Sequence, residues 1–262
     1  MIILKLGGSL ITDKKRRFSV RGEVLKRVAA EIREAGVTAE GGLIIIHGGG
    51  SFGHPLAKEY KLQKGSKVEE QIQGVALTRK AMGELNNCVV SALVEQDIPA
   101  VVIQSSAVVV CRDGRIHEFN LEALKGFLTL GLVPVLYGDV VLDEEQGFCI
   151  LSGDQIVSYL SRIFKPDKIV LATDVDGVFD KDPKKSKNAK LLKELANRDL
   201  HAIDFGLEED ATGGIRGKLL ELLELAEEGF QSHIINALKE DRMKKALLGK
   251  EVIGTKIRSN TR

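Results

Sequence analysis

The sequence predicts an α/β protein with a mainly parallel central sheet, and three observations carry that reading. Short β-branched runs alternate with longer segments of helical periodicity. The chain has 262 residues, 44% hydrophobic and 29% charged, enough to bury a large core and unlike a disordered, collagenous or coiled-coil composition. No Ser- or Pro-rich linker divides it, so one continuous sheet with two functional lobes meeting near residue 165 is expected, rather than two independent domains.

The elements follow from periodicity. Residues 2–6 form the first strand, apolar but for Lys5. After a polar stretch at 12–19, a helix over 21–35 is predicted because Val24, Leu25, Val28 and Ile32 share a face, and Gly36 ends it. Residues 43–46 form a second buried strand. A long helix over 69–94 follows from the spacing of Ile72, Val75, Leu85, Val89 and Leu93, its polar positions facing water. Residues 100–103 read as a third strand, and 108–111 with 115–117 as a hairpin around Asp113-Gly114. The second half repeats the logic: strand 133–137, a hairpin around 143–147, helix 154–163, strand 168–172, helix 217–228 and strand 233–235. The lysine-rich patch at 181–190 reads as a solvated loop.

Charge and cysteine content narrow the function. Thirty-eight Lys and Arg against 37 Asp and Glu give a net charge of +1, leaving no global electrostatic case for nucleic acid or an anionic membrane as partner. Cys88, Cys111 and Cys149 are far apart and lack metal-ligand spacing, which fits a reducing cytoplasm. Met1 leads straight into the first strand, and no apolar stretch approaches the roughly 20 residues that span a bilayer. A soluble cytoplasmic protein is expected.

Glycines cluster at three places. In Lys5-Leu6-Gly7-Gly8-Ser9, backbone N–H groups unobstructed by a Cβ can approach an anion while Lys5 adds charge; a tight turn with a snorkelling lysine is the alternative. The lysine within an apolar strand favours the anion, because a buried ammonium without an anionic partner is costly. In the run from His47 to Pro55, glycines 48, 49, 50 and 53 give a flexible backbone able to converge on a phosphate. His54 is placed to donate to a phosphate oxygen, whereas His47 reads as structural. The third cluster, 210–218, opens a helix with Gly213, Gly214, Gly217 and Lys218; its spacing is not that of a Walker loop, and Thr212 is a candidate N-cap. Between them, Asp154 either caps a helix or holds nearby ammonium groups, and Asp174 or Asp176 stands at a strand end where open α/β sheets bind ligands, though turn chemistry also explains them. Lys5, Lys14 and Lys218 among these clusters point to a site built for many phosphate oxygens, and so to phosphoryl transfer.

In order and over nearly the whole chain, residues 5–9, 47–50, 152–154, 173–178 and 212–218 resemble the motifs of the amino acid kinase superfamily. Within it, Lys14, the Gly-Ser-Phe-Gly-His-Pro run at 50–55 and the closing segments 246–249 and 254–255 are similar to the isopentenyl phosphate kinases; fosfomycin-resistance kinases share much of the pattern. The resemblance implies a three-layer αβα sandwich, one domain over 1–262, with an acceptor-binding lobe (1–165) and a nucleotide-binding lobe (166–262). It implies transfer of a phosphoryl group from ATP to isopentenyl phosphate, giving isopentenyl diphosphate for an archaeal-type mevalonate route. Lys5 and Lys14 would contact the transferring group, Lys14 stabilising the transition state. Gly49, His54 and Gly153 would bind the acceptor phosphate, His54 counting also among the catalytic residues. Lys5, Gly7, Gly8, Ser9, Gly50, Gly213, Gly214 and Lys218 would bind ATP phosphates, Asp174 would sit at the nucleoside, and Asp154 would orient the lysines. Mg²⁺ bridging ATP oxygens and a homodimer are further implications. The apolar tail of the acceptor would lie against Ile72, Val75, Ala76, Met82 and Leu85, which plain core packing explains equally well. A kinase of another small phosphate or phosphonate and an ATP-sensing module without catalysis are the alternatives.

Overall fold

The computed structural model describes residues 1–38, 42–65, 69–183, 185–186, 188–204 and 214–260. The chain opens with β1 (Ile2–Leu6), the single turn α1 (Gly8–Ile11), α2 (Gly22–Ala35), β2 (Leu43–His47), α3 (Gly50–Glu59), α4 (Glu69–Val94) and β3 (Ala100–Val102). Next come α5 (Ser105–Val108), β4 (Val109–Arg112), β5 (Arg115–Phe119), α6 (Glu122–Thr129), β6 (Val133–Tyr137), β7 (Asp139–Asp143), β8 (Gly147–Leu151) and α7 (Gly153–Phe164). The remainder holds β9 (Lys168–Thr173), β10 (Val178–Phe179), β11 (Leu191–Leu192), β12 (Glu194–Leu195), α8 (Gly214–Glu227), β13 (Ser232–Asn236), α9 (Arg242–Leu247) and β14 (Gly254–Ile257).

Eight strands form the central sheet in the order β12-β14-β13-β9-β1-β2-β6-β3. Among the described residues, only β13 and β14 pair antiparallel within it, so the mainly parallel sheet read from the sequence is present. The sheet is not the only one. The two hairpins pair with each other as a separate four-stranded sheet, β5-β4-β7-β8, and β10 pairs with β11. Tight hairpin turns close antiparallel pairs, whereas joining a parallel sheet requires a crossover.

Side chains alternate across each central strand and so decide which helix layer they meet. Ile2, Leu4 and Leu6 of β1 with Leu43 and Ile45 of β2 pack against α2, α4 and α9, through Leu25, Ile32, Leu85, Val89 and Met243. Ile3, Ile44 and Ile46 face the other way, onto Leu124 of α6, Ile156 and Leu160 of α7, and Leu219 and Leu222 of α8. Helices on both faces make the three-layer sandwich. Gly36 ends α2 at φ +65°, the left-handed conformation that glycine adopts without strain.

Two local readings need correction. The glycine-rich segment after β2, read as flexible backbone, runs from Gly50 into the helix α3, which buries Phe52, Leu56 and Ala57 and tolerates Pro55. Burial of that face outweighs the weak helix propensity of its glycines. On α4, the polar Gln71, Thr78 and Asn86 are buried while Ile72 is 57% exposed, because α4 also packs against α3 and the four-stranded sheet and so buries more than one stripe. Among the described residues no helix is long and apolar enough to cross a membrane.

Candidate active site

The strand alternation that builds the core also aims the first lysine. Lys5 follows Ile3 by two residues and therefore emerges on the face covered by α7 and α8. The N-terminal ends of those helices carry Asp154 and Lys218. Lys5 Nζ lies 2.5 Å from Asp154 Oδ2, and Lys218 Nζ lies 3.9 Å from Asp154 Oδ1. Ser152 caps α7, its hydroxyl accepting from the Gln155 N–H at 3.1 Å, so Asp154 is not needed as the cap. Gly153 gives the lysine stem its room: a Cβ there would stand 3.2 Å from Lys5 Cε and 3.2 Å from Ile46 Cγ2.

The electrostatics follow from burial. Burial pulls the Lys5 ammonium down to about 8, against the opposing pull of Asp154, and the neighbouring Lys218 charge adds to the lowering. Burial pushes the Asp154 carboxyl up, but the charges of Lys218 and Lys5 and the hydrogen bond from Lys5 outweigh it and hold the group below its ordinary range. The result is a buried carboxylate shared by two cations from opposite ends of the chain.

The first two glycine clusters form one seam. A Cβ on Gly8 would lie 2.3 Å from the Gly50 nitrogen, and one on Gly48 would lie 3.0 Å from the Gly8 nitrogen. Thr12 fastens the seam: its hydroxyl donates to the Gly8 carbonyl at 2.7 Å and accepts from the Ser51 N–H at 2.9 Å. Ser9 reaches the end of β9, donating to Asp174 Oδ1 at 2.5 Å.

These groups enclose a cavity of about 650 Å³. Lys5, Gly7, Gly8, Ser9, Lys14, Gly49, Gly50, His54, Gly153, Asp154, Asp174 and Lys218 all line it. Gly214 opens α8, and Gly213, with the candidate cap Thr212, lies outside the described residues. Asp176 does not join the cavity-lining residues; it accepts from Asn236 Nδ2 at 2.9 Å and from Arg242 Nη1 at 2.6 Å. His47 follows Ile45 by two residues and so points to the α4 side. There it is buried, stacked on Tyr137, with Nε2 3.1 Å from Asn86 Oδ1, and burial pulls it down to about 4.

Sequence reasoning missed part of the wall. The 181–190 patch is not wholly solvated: Lys181, Asp182, Pro183, Lys185 and Ser186 border the cavity, whereas Lys184 and Lys187 lie outside the described residues. Of the five residues expected against an apolar tail, only Met82 lines the cavity, joined by Ala57, Val140 and Ile150. Leu85 belongs to the core, and Ile72 turns outward because it lies off the buried stripe. Asp139 was also missed. It follows Gly138 at the end of β6, the same strand-end position that marked Gly7 and Gly48. Burial pushes its carboxyl up to about 6, against hydrogen bonds from Ser106 and the Val140 N–H and the charge of Arg79.

Residues 1–236 match the model of the amino acid kinase family. The chain is 43% identical to the isopentenyl phosphate kinase of Methanothermobacter thermautotrophicus over 265 aligned positions, covering 98% of each chain. Against the enzyme of the same name from Methanocaldococcus jannaschii it is 40% identical, again over 98% of each. It superposes on an X-ray structure of isopentenyl phosphate kinase with a TM-score of 0.88, at 41% identity, covering 98% of this chain and 99% of that one. The fold, its strand-end cavity and these matches agree: the chain belongs to the amino acid kinase family.

Proposed function

We propose that the protein transfers the γ-phosphoryl group of ATP to isopentenyl phosphate, giving ADP and isopentenyl diphosphate for an archaeal-type mevalonate route. One observation carries the reading: Lys5 on β1, Lys14 on the loop after α1 and Lys218 on the distant α8 line a single cavity, with Asp154 fixing two of them. An acceptor that is itself a phosphate needs no base to activate it. The task is to bring two polyanions end to end, and catalysis comes from positioning and positive charge. An acceptor phosphate oxygen attacks the γ-phosphorus as its bond to the β,γ-bridging oxygen breaks, and ADP leaves with that electron pair.

Lys14, exposed on a polar loop of the cavity lining, stabilises the transferring group together with the buried Lys5. Asp154 orients Lys5 and Lys218 and offsets the mutual repulsion of the two ammonium groups. Gly49, Gly153 and His54 hold the acceptor phosphate. Gly7, Gly8, Ser9, Gly50, Gly213 and Gly214 with Lys218 hold the ATP phosphates, and Asp174 sits at the nucleoside. Ala57, Met82, Val140 and Ile150 receive the hydrocarbon tail. A Mg²⁺ ion would supply further charge neutralisation on the ATP oxygens. Asp154 is already committed to lysines, so the ion would keep water and phosphate oxygens as its main ligands. We further propose an acceptor-binding lobe before about residue 165 and a nucleotide-binding lobe after it, the ATP phosphates lying where glycines of both lobes meet, and a homodimer working in the cytoplasm.

An acceptor panel at fixed ATP tests the assignment. Isopentenyl phosphate is expected to give the highest kcat/KM among small monophosphates and phosphonates; a phosphonate antibiotic turned over faster would reassign the acceptor.

A further inference from the structure

We infer that Phe18 is a positioning residue: its ring clamps the 13–19 loop to α3 and so sets Lys14 against the acceptor phosphate. The inference rests on the kinase reading above and gives a role within it to a side chain that is not among those lining the cavity.

The loop that carries Lys14 is stapled at its base, where Thr12 and Val20 form an antiparallel bridge and the Asp13 N–H donates to the Ser19 carbonyl at 2.9 Å. Its tip is a local turn. Asp13 Oδ1 accepts from the Lys15 N–H at 2.9 Å, and the Asp13 carbonyl accepts from the Arg16 N–H at 3.2 Å. These bonds shape the loop, but they tie no part of its tip to the rest of the site.

The ties that do so run to α3. The Phe18 N–H donates to the Ser51 carbonyl at 3.2 Å, and Arg17 Nη2 lies 2.8 Å from Glu59 Oε2. That ion pair is exposed on both sides and holds weakly. The aromatic contact is firmer: the Phe18 and Phe52 rings stand T-shaped, centroids 5.6 Å apart and planes at 74°, and Phe52 is buried in the core. Phe18 itself is 47% exposed, so core packing does not account for its place. Its backbone is left-handed, at φ +54°, which a bulky side chain rarely adopts. Such strain persists where the surroundings over-determine it, and here the hydrogen bond and the ring contact both fix Phe18 on α3. His54 follows Phe52 by two residues on the same helix, so the clamp references Lys14 to the helix that holds the acceptor phosphate. Precision there matters, since a misplacement of about 1 Å can cost about 100-fold in rate.

The test compares the wild type with Phe18→Ala, Phe18→Tyr, Lys14→Ala and the Lys14→Ala/Phe18→Ala double variant, using ATP and isopentenyl phosphate. Phe18→Ala is expected to lower kcat about tenfold or more with KM for ATP little changed, whereas Phe18→Tyr, which keeps the ring, should stay within about twofold of wild type. In the Lys14→Ala background, removing the ring should change kcat by less than about twofold, because the residue it places is gone. Should Phe18→Ala not fold, Phe18→Leu, which lacks the aromatic ring, decides the same comparison. Wild-type kcat in Phe18→Ala, an equal fall with and without Lys14, or a Phe18→Tyr as slow as Phe18→Ala overturns the clamp while leaving the kinase reading intact. Absence of isopentenyl diphosphate from the wild type overturns both.

Discussion

Gly8 and Gly50 meet backbone against backbone, so closely that a Cβ on Gly8 would stand 2.3 Å from the Gly50 nitrogen and 2.6 Å from its Cα. The contact fuses the turn after β1 to the start of α3 and makes one cradle from two sequence motifs. Gly8→Ala forces main-chain atoms apart, where no flexible side chain can yield. It is expected to cost about 1–3 kcal/mol, as overpacking does, and to lower activity. Gly22→Ala, where nothing lies within 4 Å, is the control and should change stability by less than about 0.5 kcal/mol. Urea unfolding of both variants checks this; equal midpoints would refute the close seam.

The Lys5–Asp154 pair predicts a pH profile. Lys5 must carry its proton to hold phosphate oxygens, and burial brings it down to about 8. The kcat/KM for ATP, which reports the free enzyme, should therefore fall on an alkaline limb near that pH. Asp154→Asn removes the charge that opposes the lowering, so the limb should move to lower pH as overall activity drops. A limb that stays in place would separate Asp154 from Lys5 function.

Lys14 and His54 divide the roles of rate and acceptor binding. Lys14 is exposed, so Lys14→Ala should leave the thermal midpoint unchanged while kcat falls about 100-fold or more. His54→Ala should chiefly raise KM for the acceptor, with KM for ATP little altered. Steady-state kinetics with each substrate varied distinguish the two, and near wild-type kcat in Lys14→Ala would remove that residue from the mechanism.

Asp139 adds a stability prediction whose sign follows from its raised value. With an ordinary value of 3.8 and about 6 in the fold, the native state keeps its proton after the unfolded chain has lost it. Its contribution is therefore fully present below pH 3.8, declines between 3.8 and 6, and is lost above. Asp139→Asn should stabilise the protein by about 2 kcal/mol at pH 8, with no gain near pH 4. Thermal unfolding of both proteins at the two pH values gives the comparison; a variant less stable at pH 8 would contradict it.

Much of this was legible because it is periodic. Alternation in residues 2–6 and 43–46 gives both strands and their two-sided burial, and it also separates Lys5 from His47, which point to opposite layers. The lysine was readable as a site residue because an ammonium inside a buried strand requires a counter-charge, and Asp154 supplies it at 2.5 Å. Less legible was whatever depends on contacts distant in sequence. The helical start of α3 is held by burial of Phe52 and Leu56, which outweighs the preferences of its own glycines. The pairing of the two hairpins into a second sheet, and the turning of Thr78 into the cavity while Ile72 faces outward, depend on which surfaces α4 happens to meet. Asp176 looked equivalent to Asp174 in sequence; an arginine and an asparagine from distant segments claim it.

The central claim, that ammonium groups from three segments join two phosphates in one cavity, is tested most directly by phosphorus NMR. Wild-type protein would be incubated with ATP, Mg²⁺ and isopentenyl phosphate. The expected spectrum shows the acceptor's single resonance replaced by the paired resonances of a diphosphate monoester, with ADP formed in equal amount. An unchanged acceptor resonance, with ATP intact or hydrolysed to inorganic phosphate, would contradict it.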